Sequence, residues 1–195
     1  MPVIAGVLLA LSAAGLALAG LGMTGHMAAH MGAVAVAAPV LAFGMASRSS
    51  GVGRAGHDAG GGAPLGWATI EFVVVWAWHA PAIRALADAN VAVAVVEQAM
   101  FLGVGYGLWR AALTHPASGV AALLLTSMHM TLLGALIALA PRPLYAMMAM
   151  HPAPGLDALA DQQMGGLVML VVGGAAYCLG GLALLGTMLR ERAAA

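Results

Sequence analysis

His26 and His30 stand four residues apart, and residues at i and i+4 share one face of a helix, so two imidazoles can reach one point. Met27 and Met31 repeat that spacing one position on, and Met23 lies nearly on the face of His30. Imidazole with thioether suits copper, and thioether in particular selects Cu(I). The plainer reading is a helix end with wet histidines and Met as filler. The doubled His-Met pattern favours a site, because polar side chains inside an apolar segment are costly and usually functional.

Three more groups belong to the same chemistry. His79 sits in Trp76-Ala77-Trp78-His79-Ala80-Pro81, where the tryptophans also suit an interfacial belt. Met128-His129-Met130 falls midway along an apolar stretch, about 16 Å from its outer end. His151 follows Met147, Met148 and Met150 in a proline-bearing loop. That loop reads equally well as an entry platform for Cu(I) or as an apolar loop resting on the membrane. Glu97 lies about 12 Å below the outer end of its stretch, near the histidine tier, where it can offset the charge of an ion or orient a His from the second shell. Glu71 lies nearer the opposite side and can bond only a neighbour. His57 and His115 fall on that opposite side and read as ordinary.

The elements that position these residues are set by composition. Of 195 residues, 63% are hydrophobic and 7% charged, and mean hydropathy is +0.97. A soluble domain carries about 25% charged residues, so this chain cannot cover a water-facing surface. Seven Arg, no Lys and seven acids leave no basic patch for nucleic acid. A single Cys178 excludes a disulfide framework or CxxC site within the chain. Helices are the reading of such apolar runs, since lipid satisfies no backbone polar group. The expected architecture is all-α: one polytopic membrane domain over residues 1–195, a bundle of about six transmembrane helices. The spans are Pro2–Gly20, Thr24–Ala46, Gly66–Ile83, Ala89–Ala112, Ser118–Ala140 and Met164–Met188. The first is expected to be retained rather than cleaved, because no positive region precedes it.

Arginine placement orients the bundle. With a cytoplasmic amino terminus, Arg48, Arg54, Arg110, Arg190 and Arg192 fall inside, against Arg84 and Arg142 outside. Both termini are therefore expected in the cytoplasm of a bacterium, with the chain in its inner membrane and the His/Met tier facing the periplasm. Span three runs outward and span two inward, so His79 lies at the depth of His26 and His30. Ser47–Pro64 reads as a glycine-rich cytoplasmic connector, and Pro141–Gln163 as a periplasmic loop. Gly166, Gly173 and Gly180 form a close-packing seam, for which packing within the chain is favoured over a homodimer face.

At this point the chain resembles the CtaG-type cytochrome c oxidase assembly factors of bacteria. Four blocks carry the resemblance. They are His26-Met27-Ala28-Ala29-His30-Met31 followed by Ala37-Ala38-Pro39; Trp78-His79-Ala80-Pro81; Met128-His129-Met130 through Gly134 to Pro143-Leu144-Tyr145; and Asp161-Gln162-Gln163-Met164-Gly165-Gly166. The family often carries Glu-His in span four, where this chain has Glu97-Gln98, which implies one ligand fewer or another residue in that role. Family members also often show seven spans. The resemblance implies a copper-related assembly role, and enzymatic activity is not expected because the sequence shows no nucleophile–base pair, phosphate loop or zincin motif. Its partners would be an oxidase subunit, a periplasmic copper donor and the lipid bilayer.

The leading expectation is a Cu(I)-binding assembly factor. Its metal-site candidates are His26, His30, His79, His129, His151, Met27, Met31 and Met130, with Glu97 behind them. A copper transport or tolerance protein is the alternative, kept by the deep Met128-His129-Met130. A haem-binding membrane subunit is a third reading, since paired His on two helices can ligate haem.

Overall fold

In the computed structural model, residues 1–49 and 63–194 are described. His57 and most of the glycine-rich connector lie outside them. Among the described residues every regular element is helical.

The helices form six rods. α1 is Pro2–Ala17. The second rod is α2 (Gly22–Met31) and α3 (Ala38–Ser49), joined through π-helical turns at Gly32–Ala37. Pro39 explains the irregularity: it has no N–H to offer the turn before it, and the helix widens rather than breaks. The third rod is α4 (Ala63–Trp78), followed across His79–Ala80 by α5 (Pro81–Ala89). The fourth and fifth are α6 (Val91–Thr114) and α7 (Pro116–Ala138). After the short α8 (Ala146–Met150), the sixth rod joins α9 (Ala158–Val168) to α10 (Gly174–Ala193) through π-helical turns at Met169–Gly173.

Among the described residues, four rods are long and apolar enough to cross a membrane: Gly22–Ser47, Val91–Thr114, Pro116–Ala138 and Ala158–Ala193. A fifth joins them if α4 and α5 count as one span bent by 72°. α1, with 16 residues, is about 24 Å long and falls short of the roughly 30 Å of hydrocarbon. The structure therefore supports four or five candidate spans where the sequence reading has six. Two boundaries also move. The third expected span ends at Trp78 because Pro81 holds the chain extended at Ala80 and restarts a helix in a new direction. The last rod starts at Ala158, within the expected loop, because Asp157 caps it through Leu159 N and Ala160 N.

The glycine seam packs inside the chain. A Cβ on Gly166 would meet Ala138 N at 2.5 Å and Gly134 O at 2.7 Å; one on Gly180 would meet the Trp109 ring at 2.3 Å. α7 and α9 thus approach nearly backbone to backbone, while Gly180 makes room on α10 for the Trp109 ring of α6.

Candidate functional site

Asp161 sets the position of α2. Its carboxylate accepts from Met23 N at 2.7 Å and Thr24 N at 3.0 Å, so a residue of α9 caps the amino terminus of a helix 138 positions away. Thr24 Oγ1 returns a bond to the Asp161 carbonyl at 3.2 Å. Gly22 makes the approach possible: its φ is +59°, and a Cβ there would lie 2.2 Å from Asp161 Oδ2. Neighbouring Gln162 ties the preceding loop, accepting from Leu144 N at 2.6 Å and donating to Ile137 O and Arg142 O at 3.3 Å.

With α2 seated, His26 and His30 face the break between α4 and α5, where His79 sits. The three rings gather: centroids are 5.1 Å apart for His30 and His79, 5.9 Å for His26 and His79, and 6.4 Å for His26 and His30. Phe101 of α6 stacks on His30 at 3.7 Å and closes the inner side. His79 Nδ1 donates to Val75 O at 2.6 Å, which leaves Nε2 as the free lone pair. The His79 carbonyl accepts from Tyr145 OH at 2.9 Å, fixing the break from the loop side. Burial holds the Tyr145 phenol up at about 12, so it remains a donor.

The sequence reading missed Arg84. Its position after the third expected span predicts an outer loop; the structure buries it to 3% exposure on α5. Its Nη1 donates to both oxygens of Glu97 at 2.5 Å and its Nε to Asp88 Oδ1 at 3.0 Å. The same Nη1 lies 3.1 Å from His26 Nδ1, which must accept, since a guanidinium only donates. Glu97 Oε1 stands 4.0 Å from His26 Nε2. Two carboxylates on one guanidinium leave no net positive charge to repel a cation. The available signal was Arg84-x-x-x-Asp88, one turn after Pro81, a spacing that places both on one helix face.

A cavity of about 280 Å³ leads to this cluster. His26, Arg84 and Glu97 line its inner end, and Met147, Met148 and His151 contribute from α8 and the residue after it. His151 is exposed, so the Met-bearing segment stands at the mouth.

The remaining expected residues lie elsewhere. Met27, Met31 and Met130 are fully buried in the apolar core. Gly173 is where two of them meet: a Cβ there would be 3.0 Å from Met31 Sδ and 3.3 Å from Met130 Cβ. This face of α2 is one residue step, about 100°, from the His face. His129 packs edge-on against Phe72 at 5.3 Å, and neither of its ring nitrogens has a hydrogen-bond partner. Glu71 is buried and hydrogen-bonded to Tyr177 OH, which also reaches Val34 O at 3.2 Å in the π-helical turns. It bonds a neighbour and lies apart from the histidines. His115 is at the far end of α6. Among the described residues, no three His, Cys, Asp or Glu side chains stand ready around one metal position.

A family model described as cytochrome c oxidase caa3 assembly factor matches residues 3–191. The chain belongs to that family. No curated protein and no solved structure matches it. Membership of this assembly-factor family implies an oxidase partner and a membrane setting. It also gives physical content to the blocks that carried the resemblance. In this assembly factor Asp161 caps α2, Gly165 lets α9 approach Met23, Pro81 makes the bend at His79, and Tyr145 clasps that bend.

Proposed function

We propose that this assembly factor takes Cu(I) as cargo on His26, His30 and His79 at the periplasmic face and passes it to a copper centre of its oxidase. The observation that carries the reading is a set of orphaned lone pairs. His30 Nδ1 and Nε2 and His79 Nε2 are buried without any hydrogen-bond partner. A neutral imidazole carries one lone pair, so each of these two rings offers one acceptor nitrogen; a buried acceptor left unpaired is costly, and one soft cation would satisfy one on each ring. Two imidazoles on one ion, each nitrogen about 2.0–2.1 Å from it, have ring centres about 5–6 Å apart. The His30–His79 and His26–His79 separations, 5.1 and 5.9 Å, fall in that range, and the 6.4 Å between His26 and His30 lies just beyond it. Ring rotation about χ2 is what coordination still requires.

Release is built in by the same contacts. Arg84 holds His26 through Nδ1 and so competes with the ion for that ligand. Cys178 does not line this cavity, so no thiolate there retains Cu(I), and the mouth beside Met147, Met148 and His151 is where a donor or the oxidase would exchange ligands. Met27, Met31 and Met130 serve the core in this scheme. Copper transport is the second reading, and it rests on the two unpartnered nitrogens of His129 in mid-bundle.

Competition against a chromophoric Cu(I) chelator tests the site. His30→Ala and His79→Ala should weaken binding at least tenfold, and His115→Ala should leave it unchanged. Affinity should fall as pH falls, because binding requires neutral imidazole and protons compete for the same lone pairs. Equal affinity in all variants would remove the copper assignment. In cells, deleting the gene should leave oxidase polypeptides present but copper-poor, with partial rescue by added copper. A fully metallated oxidase with altered cellular copper would favour transport instead.

A further inference from the structure

Pro39 leaves a carbonyl of the second rod without a backbone partner. In the π-helical turns the Ala38 N–H bonds Ala33 O, five residues back, and so is not given to Val34 O. The next donor in that pattern would be the N–H of residue 39, and proline has none. Val34 is fully buried, so water does not serve its carbonyl either. A buried carbonyl left bare is costly. Tyr177 of α10 meets the need: its hydroxyl lies 3.2 Å from Val34 O, 143 positions away.

The same hydroxyl is hydrogen-bonded to Glu71 Oε1 of α4. Three rods thus meet on one phenol, and Val34, Glu71 and Tyr177 are all fully buried. A phenol has one proton to donate and can also accept. Two arrangements are open. With Glu71 ionised, Tyr177 gives its proton to the carboxylate, and Val34 O is bare. With Glu71 as the acid, the carboxyl proton goes to Tyr177 Oη, and the phenolic proton goes to Val34 O. The bond between Tyr177 and Glu71 is present in both; only its direction reverses.

The surroundings decide between them. Among the described residues the ion pairs are His26–Glu97, Arg84–Asp88 and Arg84–Glu97, and Glu71 is in none of them. His129 of α7 turns to Phe72, and Arg110 of α6 and Arg190 and Arg192 of α10 are exposed. Thr126 of α7 faces the Glu71 carboxyl group, but its Oγ1 and Glu71 Oε2 are both without a hydrogen-bond partner. A carboxylate with one oxygen bare and no counter-ion is strongly disfavoured in an apolar core. The acid form removes that charge and satisfies Val34 O as well.

We propose that Glu71 is a buried proton site: held as the neutral acid, it donates to Tyr177 Oη and so commits the phenolic proton to Val34 O. Glu71 is then a positioning residue. Through Tyr177 it pins the π-helical turns that Pro39 creates, and His30 stands one helical turn before Val34 on the same rod. The relay joins α4, α10 and the second rod without placing a charge among them.

Infrared difference spectroscopy tests the proton directly, on the full chain in phospholipid vesicles at neutral pH. Wild type minus Glu71→Gln should show a carboxylic-acid C=O band contributed by the wild type. That band should shift in Tyr177→Phe, where the acid loses its acceptor. A pair of carboxylate bands in place of the acid band would overturn the proposal. Amide hydrogen exchange supplies a second readout. Tyr177→Phe, which removes only the hydroxyl, should speed exchange over residues 32–38 by about fivefold, the equivalent of one net hydrogen bond. Glu71→Gln, whose amide can donate to Tyr177 Oη as the acid does, should leave that exchange as in wild type. Exchange unchanged by Tyr177→Phe would mean that the phenol serves Glu71 alone, which would also overturn the proposal. Neither readout depends on copper.

Discussion

Arg84 is the residue on which the cluster's electrostatics turn. It is the only cation placed against the three histidines among the described residues, and Glu97 and Asp88 both bond it. Removing one partner of a buried pair leaves the other charge uncompensated, which costs about 3–5 kcal/mol. Arg84→Met should therefore lower the thermal stability of the detergent-purified protein by that amount. The double variant Arg84→Met/Glu97→Leu should recover most of it, because it removes both charges together. A double variant no more stable than the single one would mean that Arg84 acts through packing alone. Tyr145→Phe is milder: it strips one bond from the His79 carbonyl and should cost about 1 kcal/mol.

Among the elements, α2 depends on a cap that its own sequence lacks. Leu21 supplies no capping side chain, and Asp161 does so from α9. Asp161→Ala should cost about 1–2 kcal/mol, the usual loss for a removed cap. Gly22→Ala should cost at least about 1 kcal/mol, since it strains a positive φ and drives a methyl into the Asp161 carboxylate. Amide hydrogen exchange locates the effect: both variants should speed exchange in residues 23–30 and spare α6. The π-helical turns and the bend were not legible beforehand. The expected spans run straight through Pro39 and Pro81, and whether a helix widens, as at Pro39, or turns by 72°, as after Trp78, depends on the neighbours that receive it.

At the scale of the whole molecule, the rods give an up-and-down bundle whose histidine cluster lies at one end. The proposed function puts that end outside the cell, the orientation that the arginine asymmetry of the sequence leads one to expect. After Cys178→Ala, cysteines at Pro154 and Ala194 report on opposite ends of the last rod. An impermeant thiol reagent applied to intact cells should label Pro154→Cys and spare Ala194→Cys. The reverse pattern would turn the cluster toward the cytoplasm and exclude a periplasmic copper route.

Local features were readable from the sequence alone. Apolar composition required helices, and four-residue spacing put His26 and His30 on one face. Each of these depends on chemistry within a turn or two of one chain segment. What the sequence could not supply was the choice of partner between segments. The Met face of α2 turned into the core, Arg84 left the expected loop for Glu97, and Asp161 reached α2 across 138 positions. Among the described residues α4, α6, α7 and α10 are apolar nearly all round, so periodicity does not mark which of their faces meets which neighbour. Close packing of the rods makes that choice, by where glycines admit a neighbour and where buried polar atoms find a bond.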